Sequence, residues 1–125
     1  MPSESTNSWE VLFHDEFVPE FEQLPLTVRR QVYVLAELLA NFGPQLGRPH
    51  ADTLNGSKHH NMKELRFRAD GGAWRIAFAF DFKRHAVLLV GGDKAGVSQD
   101  KFYRSLIGIA DSRFEQHLRA AKETE

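Results

Sequence analysis

The order of segments along this chain predicts an α+β domain, β-α-α-β-β-β-α, with a mostly antiparallel sheet and helices packed on one face. Three observations carry that reading. Lys63 to Lys94, KELRFRADGGAWRIAFAFDFKRHAVLLVGGDK, reads as three consecutive strands. Upstream, Val28, Val32, Leu35, Leu39 and Phe42 recur with the three-to-four spacing of a helix face. Downstream, Ser98 opens a second amphipathic segment that runs to the C-terminus.

Each element has its own local reason. Trp9 to Phe13 alternates as a short strand, and Phe17 to Leu24 reads as a short helix that Pro25 interrupts. The longer helix starts near Thr27, and Gly43-Pro44 stops it. Gln45 to Met62 is polar and reads as a loop, with Gly47, Pro49, Gly56 and the pair His59-His60. In the first long strand Leu65 and Phe67 alternate with Glu64, Arg66 and Arg68, so a period of two gathers the charges on one face. Trp74, Ile76, Phe78 and Phe80 alternate in the same way with Arg75, Ala77, Ala79 and Asp81. Ala86 to Val90 is apolar throughout, as a central strand covered on both faces requires. Asp70-Gly71-Gly72 supplies a tight hairpin, and Asp81 to His85 a longer one. Ser98 caps the last helix, Val97 staples against Phe102, and Phe102, Leu106, Ile109, Ala110, Phe114 and Leu118 form its apolar stripe. Residues 1–8 are expected to be disordered, leaving one domain over 9–122.

Composition excludes several function classes. The chain has 125 residues, 42% hydrophobic, and no cysteine, so disulfides, thiolate nucleophiles and thiolate metal sites are out. No segment is long and apolar enough to span a membrane, and the polar N-terminus is no signal peptide, so a soluble cytoplasmic protein is expected. The net charge of −1 is unevenly spread. Six acids and no Lys or Arg fall in residues 1–24, so the remainder carries a net +5, the footprint of a polyanion-binding surface or of ordinary solubility. Gly91-Gly92 ahead of Lys94 lacks the spacing of a phosphate-binding P-loop.

The Leu-Arg-Phe-Arg strand (Leu65 to Arg68), the Trp-Arg-Ile strand (Trp74 to Ile76), Val87 to Leu89 and the following Lys94 stand between a helix ending in Gly-Pro and a C-terminal helix. In that order they resemble the RelE/ParE superfamily of toxins, and more closely its HigB-type, phage Gp49-like branch. The resemblance implies a RelE-like fold, and the toxin of a type II toxin–antitoxin system that cuts mRNA on the ribosome. It also implies a cognate antitoxin, typically a helix-turn-helix protein. No cofactor and no metal are implied.

Metal-free RNA cleavage needs a base for the 2′-hydroxyl, cations for charge developing on phosphorus, and an acid for the leaving 5′-oxygen. Acid–base help is worth about 10²–10⁴-fold, and fixed cations stabilise the phosphorane-like charge. Arg66, Arg68 and Arg75 are the leading cations, because a guanidinium binds phosphate through two donors. Arg68 or Arg75 can instead pair with Glu64 or Asp81 on the solvent side of the sheet. Lys94 matches a loop in which the family usually carries two lysines, and here Asp93 replaces the other. His60 is the candidate acid–base group, with His59, Lys58, Lys63, Lys101 and Tyr103 as RNA contacts. Tyr103 can equally pack beside Phe102, and Glu64 can be a base or an ion-pair partner. The second reading is a non-catalytic module of the same fold, a ParE-like gyrase-directed toxin or an inactive partner-binding remnant. Convergence of Arg66, Arg68, Arg75 and Lys94 in one concave site separates the two.

Overall fold

The computed structural model describes residues 9–123, so the expectation for residues 1–8 lies outside the described residues. Five strands, β1 (Glu10–Phe13), β2 (Ala51–Thr53), β3 (Met62–Ala69), β4 (Gly72–Phe80) and β5 (His85–Asp93), form one sheet in the order β1-β5-β4-β3-β2. Three helices accompany it: α1 (Phe17–Glu22), α2 (Leu26–Phe42) and α3 (Gln99–Glu123). Only β1 is parallel to its neighbour, and every other pair is antiparallel. The class is the expected α+β one. The addition is β2, three residues paired with the start of β3, too short to show alternation within the polar loop.

Side-chain alternation builds two cores on the one sheet. Leu65, Ile76, Phe78, Phe80 and Leu88 meet Phe17 and Phe21 of α1 and Val32, Leu35 and Leu39 of α2, so this helix pair lies on one face as expected. The alternate positions Ala77, Ala79, Val87 and Leu89 meet Leu106, Ala110 and Phe114 of α3, which therefore covers the other side. That second layer is why Ala86 to Val90 is apolar without interruption. A register shift between Ala77 and Phe78 leaves Leu89 as an extra residue, so Leu89 and Val90 both join the core under α3. Phe17, Phe78, Phe114 and Leu88 are almost fully buried, each contributing about 1.5–3 kcal/mol of apolar transfer free energy.

The turns follow their residues. Asp70 (φ 55°) and Gly71 (φ 78°) both adopt the left-handed region, which a two-residue hairpin with primed geometry needs. The Asp81 amide donates to the His85 carbonyl (2.9 Å) and closes the longer turn, where Arg84 also has positive φ. Gly43 ends α2 at φ 54° and ψ −136°, and a Cβ there would lie 2.3 Å from the Trp9 indole nitrogen. At the start of α3 the Ser98 hydroxyl accepts from the Lys101 amide (3.3 Å), the expected cap. Ile109, placed on the apolar stripe by its spacing, is 38% exposed. Among the described residues no helix is long and apolar enough to cross a membrane.

Candidate functional site

Arg66 and Arg75 are direct cross-strand partners on the face covered by α3. Two like charges so placed repel, and the sheet tolerates them because a carboxylate stands between. Glu64 Oε2 accepts from Arg66 Nη1 at 3.0 Å, and Arg75 Nε lies 3.7 Å from Glu64 Oε1. Tyr103, in the first turns of α3, joins them: its hydroxyl donates to Glu64 Oε1 (2.8 Å) and accepts from Arg75 Nε (3.2 Å). Arg75 Nη1 also donates to the Trp74 carbonyl (2.9 Å). Glu64 and Arg75 are buried, whereas a quarter of the Arg66 side chain reaches solvent.

Burial, reinforced by the hydrogen bond to Glu64, raises the Tyr103 phenol above its ordinary value. It therefore holds its proton across the neutral range and acts as a donor. Arg66, Glu64 and Tyr103 line a cleft of about 710 Å³ between α3 and the β2 edge, with Arg48, Asp52 and Arg104 on its other walls. Arg48, Asp52 and Arg104 are additions to the sequence reading. Arg104 adjoins Tyr103, but Arg48 and Asp52 lie in the polar loop, and only the pairing of β2 with β3 brings them here.

The other expected residues are placed as follows. Arg68 is exposed one row along from Arg66 and pairs in register with Ala73. The Lys94 amide donates to the Ala73 carbonyl (2.9 Å), so Arg68, Ala73 and Lys94 form a row next to Arg66, Arg75 and Gly92. The Asp93 carboxylate stands beside this row, accepting from the Ala73 and Ala95 amides at 2.9 Å each. Lys101 is exposed on α3 and lines a separate apolar cleft with Val97, Phe102 and Ile109. Lys63 lies in the alternate register, and its Nζ reaches the Pro44 carbonyl at 3.5 Å, away from the arginines.

Lys58, His59 and His60 sit before β3, at the end of the strand remote from Arg68. The Lys58 amide donates to Asp111 (3.0 Å), and its side chain is exposed. His59 stands edge-on to Phe114 at 5.1 Å, with Nε2 3.4 Å from Glu115. His60 is exposed in the turn. The helical rise separates Phe114 from Tyr103 by roughly 16 Å, so His59 is not part of the arginine cluster.

A second polar group lies toward the other edge of the sheet. The buried Asp81 carboxylate meets His85 Nδ1 at 2.8 Å and His117 Nε2 at 2.7 Å through the same oxygen, Oδ2. Among the described residues it is the group of carboxylate and imidazole ligands whose atoms, all within 4.8 Å of one another, are spaced for a metal ion. In the sequence Asp81 was legible as a turn residue or an arginine partner and His85 as a turn residue. Asp81 pairs instead with the two histidines, and nothing in the sequence pointed to His117.

Against this geometry the comparisons agree with one another. The model of the family described as "Phage derived protein Gp49-like (DUF891)" matches residues 19–115. The chain is 52% identical over 82 residues to HigB3 of Mycobacterium tuberculosis, named as a candidate toxin, covering 66% of this chain and 69% of that one. It is 44% identical over 94 residues to HigB2 of the same organism, also named as a candidate toxin, covering 74% of this chain but 46% of the relative. An arginine mutant of the E. coli toxin RelE in the free state superposes with a TM-score of 0.59 at 14% identity, over 81% of this chain and 95% of that one. The RelE–RelB complex from Pyrococcus horikoshii gives 0.53 at 17% identity, over 72% and 99%. These two likenesses are of fold. With a RelE-like fold and a family match over most of its length, the chain belongs to the Gp49-like family of phage-derived proteins.

Proposed function

We propose that this chain is the toxin of a toxin–antitoxin pair, and that it cleaves mRNA on the ribosome without a metal. The toxin reading rests on family membership and on the HigB relatives. The nuclease reading is carried by one observation: Arg66, Glu64 and Tyr103 line an open cleft, joined by hydrogen bonds and ion pairs to one another and to the buried Arg75 behind them. In this reading Arg66, Arg68 and Lys94 hold the scissile phosphate, spanning the exposed end of β3 and the end of β5. Glu64 accepts the 2′-hydroxyl proton as that oxygen bonds to phosphorus, Tyr103 turns its hydroxyl from Glu64 to the charge developing on the phosphate, and the departing 5′-oxygen takes its proton from water. Arg75 is a positioning residue, its guanidinium fixing both Glu64 and Tyr103. The ribosome supplies part of the alignment, which is why a small protein cluster suffices.

Restraint in the host requires a partner, and the RelE–RelB complex among the structural neighbours supports a cognate antitoxin. We take its class to be the helix-turn-helix type. Of Arg66, Arg68, Arg75 and Lys94 only Arg66 lines the cleft, and His59 and His60 stand apart from the arginines; both favour one competing reading, a binding toxin of the same fold that arrests growth without cutting RNA.

Inducible expression of wild type beside Arg66→Ala, with mapping of mRNA 5′ ends, distinguishes them. Growth arrest with new ends inside translated codons, both lost in the variant, is the expected result. Arrest without new ends establishes the binding toxin, and unchanged growth with soluble protein present removes the toxin reading.

A further inference from the structure

We propose that Asp81, His85 and His117 bind one divalent ion of the zinc class, clamping the β4–β5 turn to α3. The site is independent of the arginine cluster and of the nuclease reading. Its three ligand atoms come from separate places: the end of β4, the start of β5, and the C-terminal half of α3. Zinc sits about 2.0–2.2 Å from imidazole nitrogen or carboxylate oxygen. Tetrahedral geometry therefore sets the ligand atoms about 3.4 Å apart. The observed 2.7 and 2.8 Å contacts need to open by roughly 0.6–0.7 Å, and ligand atoms up to 4.8 Å apart need to close toward the same spacing, by χ rotations of the two rings.

The surroundings of the ligands are what make this more than a cluster. Asp81 Oδ1 accepts from the amides of Lys83 (2.9 Å) and His85 (2.8 Å), which fixes the carboxylate and leaves Oδ2 aimed at both rings. The far nitrogen of His85, Nε2, lies 3.4 Å from Glu10 Oε1 on the adjacent strand. A carboxylate behind a ligating imidazole selects the tautomer that presents the other nitrogen to a metal. Here Glu10 stands where that carboxylate belongs. The Asp81 side chain is 0% exposed, so its charge must be compensated locally, which a divalent cation on Oδ2 does.

A cavity of about 450 Å³ beside β1 is walled by Leu12, His14, Val87, Gln116 and His117, so one of the three ligands borders open space. Two imidazoles and one carboxylate suit zinc and its borderline neighbours. Magnesium and calcium want an oxygen-rich shell that these residues do not supply. The competing account is a purely hydrogen-bonded clamp, in which Asp81 accepts from both rings and no ion enters.

The test uses the full chain without a polyhistidine tag, stripped with chelator. Calorimetric titration with zinc chloride is expected to give one equivalent. Cobalt chloride is expected to give the intense visible bands of a four-coordinate ion on the wild type, a signature that no folding defect imitates. Zinc at 100-fold excess over its Kd should raise the melting temperature by about 10 °C for a chain of this size. His117→Gln and His85→Gln should each lose at least tenfold in affinity, and His50→Ala should bind as wild type. Absence of heat and of cobalt bands overturns the site in favour of the hydrogen-bonded clamp. So does binding of equal affinity in His117→Gln, which would place the metal elsewhere.

Discussion

Glu64 decides how the arginines behave. Arg75 is 9% exposed and bonded to Tyr103, to the Trp74 carbonyl and, more loosely, to Glu64, so its removal strands buried polar atoms on three partners. Arg75→Ala should lower the unfolding free energy by about 2–4 kcal/mol. Arg66 is 25% exposed and shares Glu64 with Arg75, so Arg66→Ala should cost only about 1 kcal/mol. Urea unfolding of both variants measures this, and equal costs would contradict the assignment of Arg75 as the structural member. Alternation in the sequence had already put Glu64, Arg66 and Arg68 on one face, because a strand's period of two depends on nothing beyond the strand, whereas Arg75 joins them only through the β3–β4 register. The histidine pair was less readable. A polar loop says nothing about which end of which helix it will touch, and here Asp111 draws Lys58 and Ser57 to the remote half of α3.

Two junctions between elements are set by single residues. Gly43 closes α2 in a conformation that side chains resist, against the Trp9 ring, while the Trp9 amide reaches the Ala40 carbonyl at 3.4 Å. Gly43→Ala adds backbone strain to a steric clash and should cost about 2–4 kcal/mol, read by thermal denaturation. A cost within 0.5 kcal/mol would mean that Trp9 moves aside freely. The second junction is Arg113, which ties α3 to α1 through both oxygens of Glu20 and to β5 through the Leu89 carbonyl (2.8 Å). Hydrogen bonding from Arg113 is the main cause holding the Glu20 carboxyl below its ordinary value. A carboxyl depressed in the fold contributes stability above its unfolded value, about 4.3, and loses it as pH falls through the lower folded value. Glu20→Gln should therefore flatten the acid limb of stability below about pH 5 and leave the alkaline limb unchanged. An acid limb as steep as wild type would assign that loss to other carboxylates. Both junctions escaped the sequence reading for the same reason. Gly43 was legible as a helix stop, but its contact with Trp9 joins residues 34 positions apart. The Glu20–Arg113 pair joins residues 93 apart.

At the scale of the whole molecule, the uneven charge has a structural meaning that composition alone could not give. Three of the five described acids of the N-terminal stretch are used as ties: Glu10 stands against His85, and Glu16 and Glu20 against Arg113. β1 lies three strands from β3 in the sheet, a distance of roughly 14 Å. The acids beside β1 therefore neutralise their own edge and do not shield Arg66 and Arg68. The Arg68 row thus carries two cations, Arg68 and Lys94, against the Asp93 carboxylate, in a chain whose net charge is −1. If RNA lies across Arg66, Arg68 and Lys94, binding to a single strand should weaken with salt, with a slope of log K against log salt of about −2. Replacing one phosphate-contacting cation should reduce that slope by about 0.7. Arg68 is the residue to change, because it is exposed and its loss should leave the melting temperature within about 1 °C. Fluorescence anisotropy of a labelled RNA over a salt series, wild type beside Arg68→Ala, makes the measurement. A reduced slope with unchanged stability places the RNA on this row, whereas an unchanged slope moves the polyanion to another surface and leaves Arg68 as a solvated edge residue.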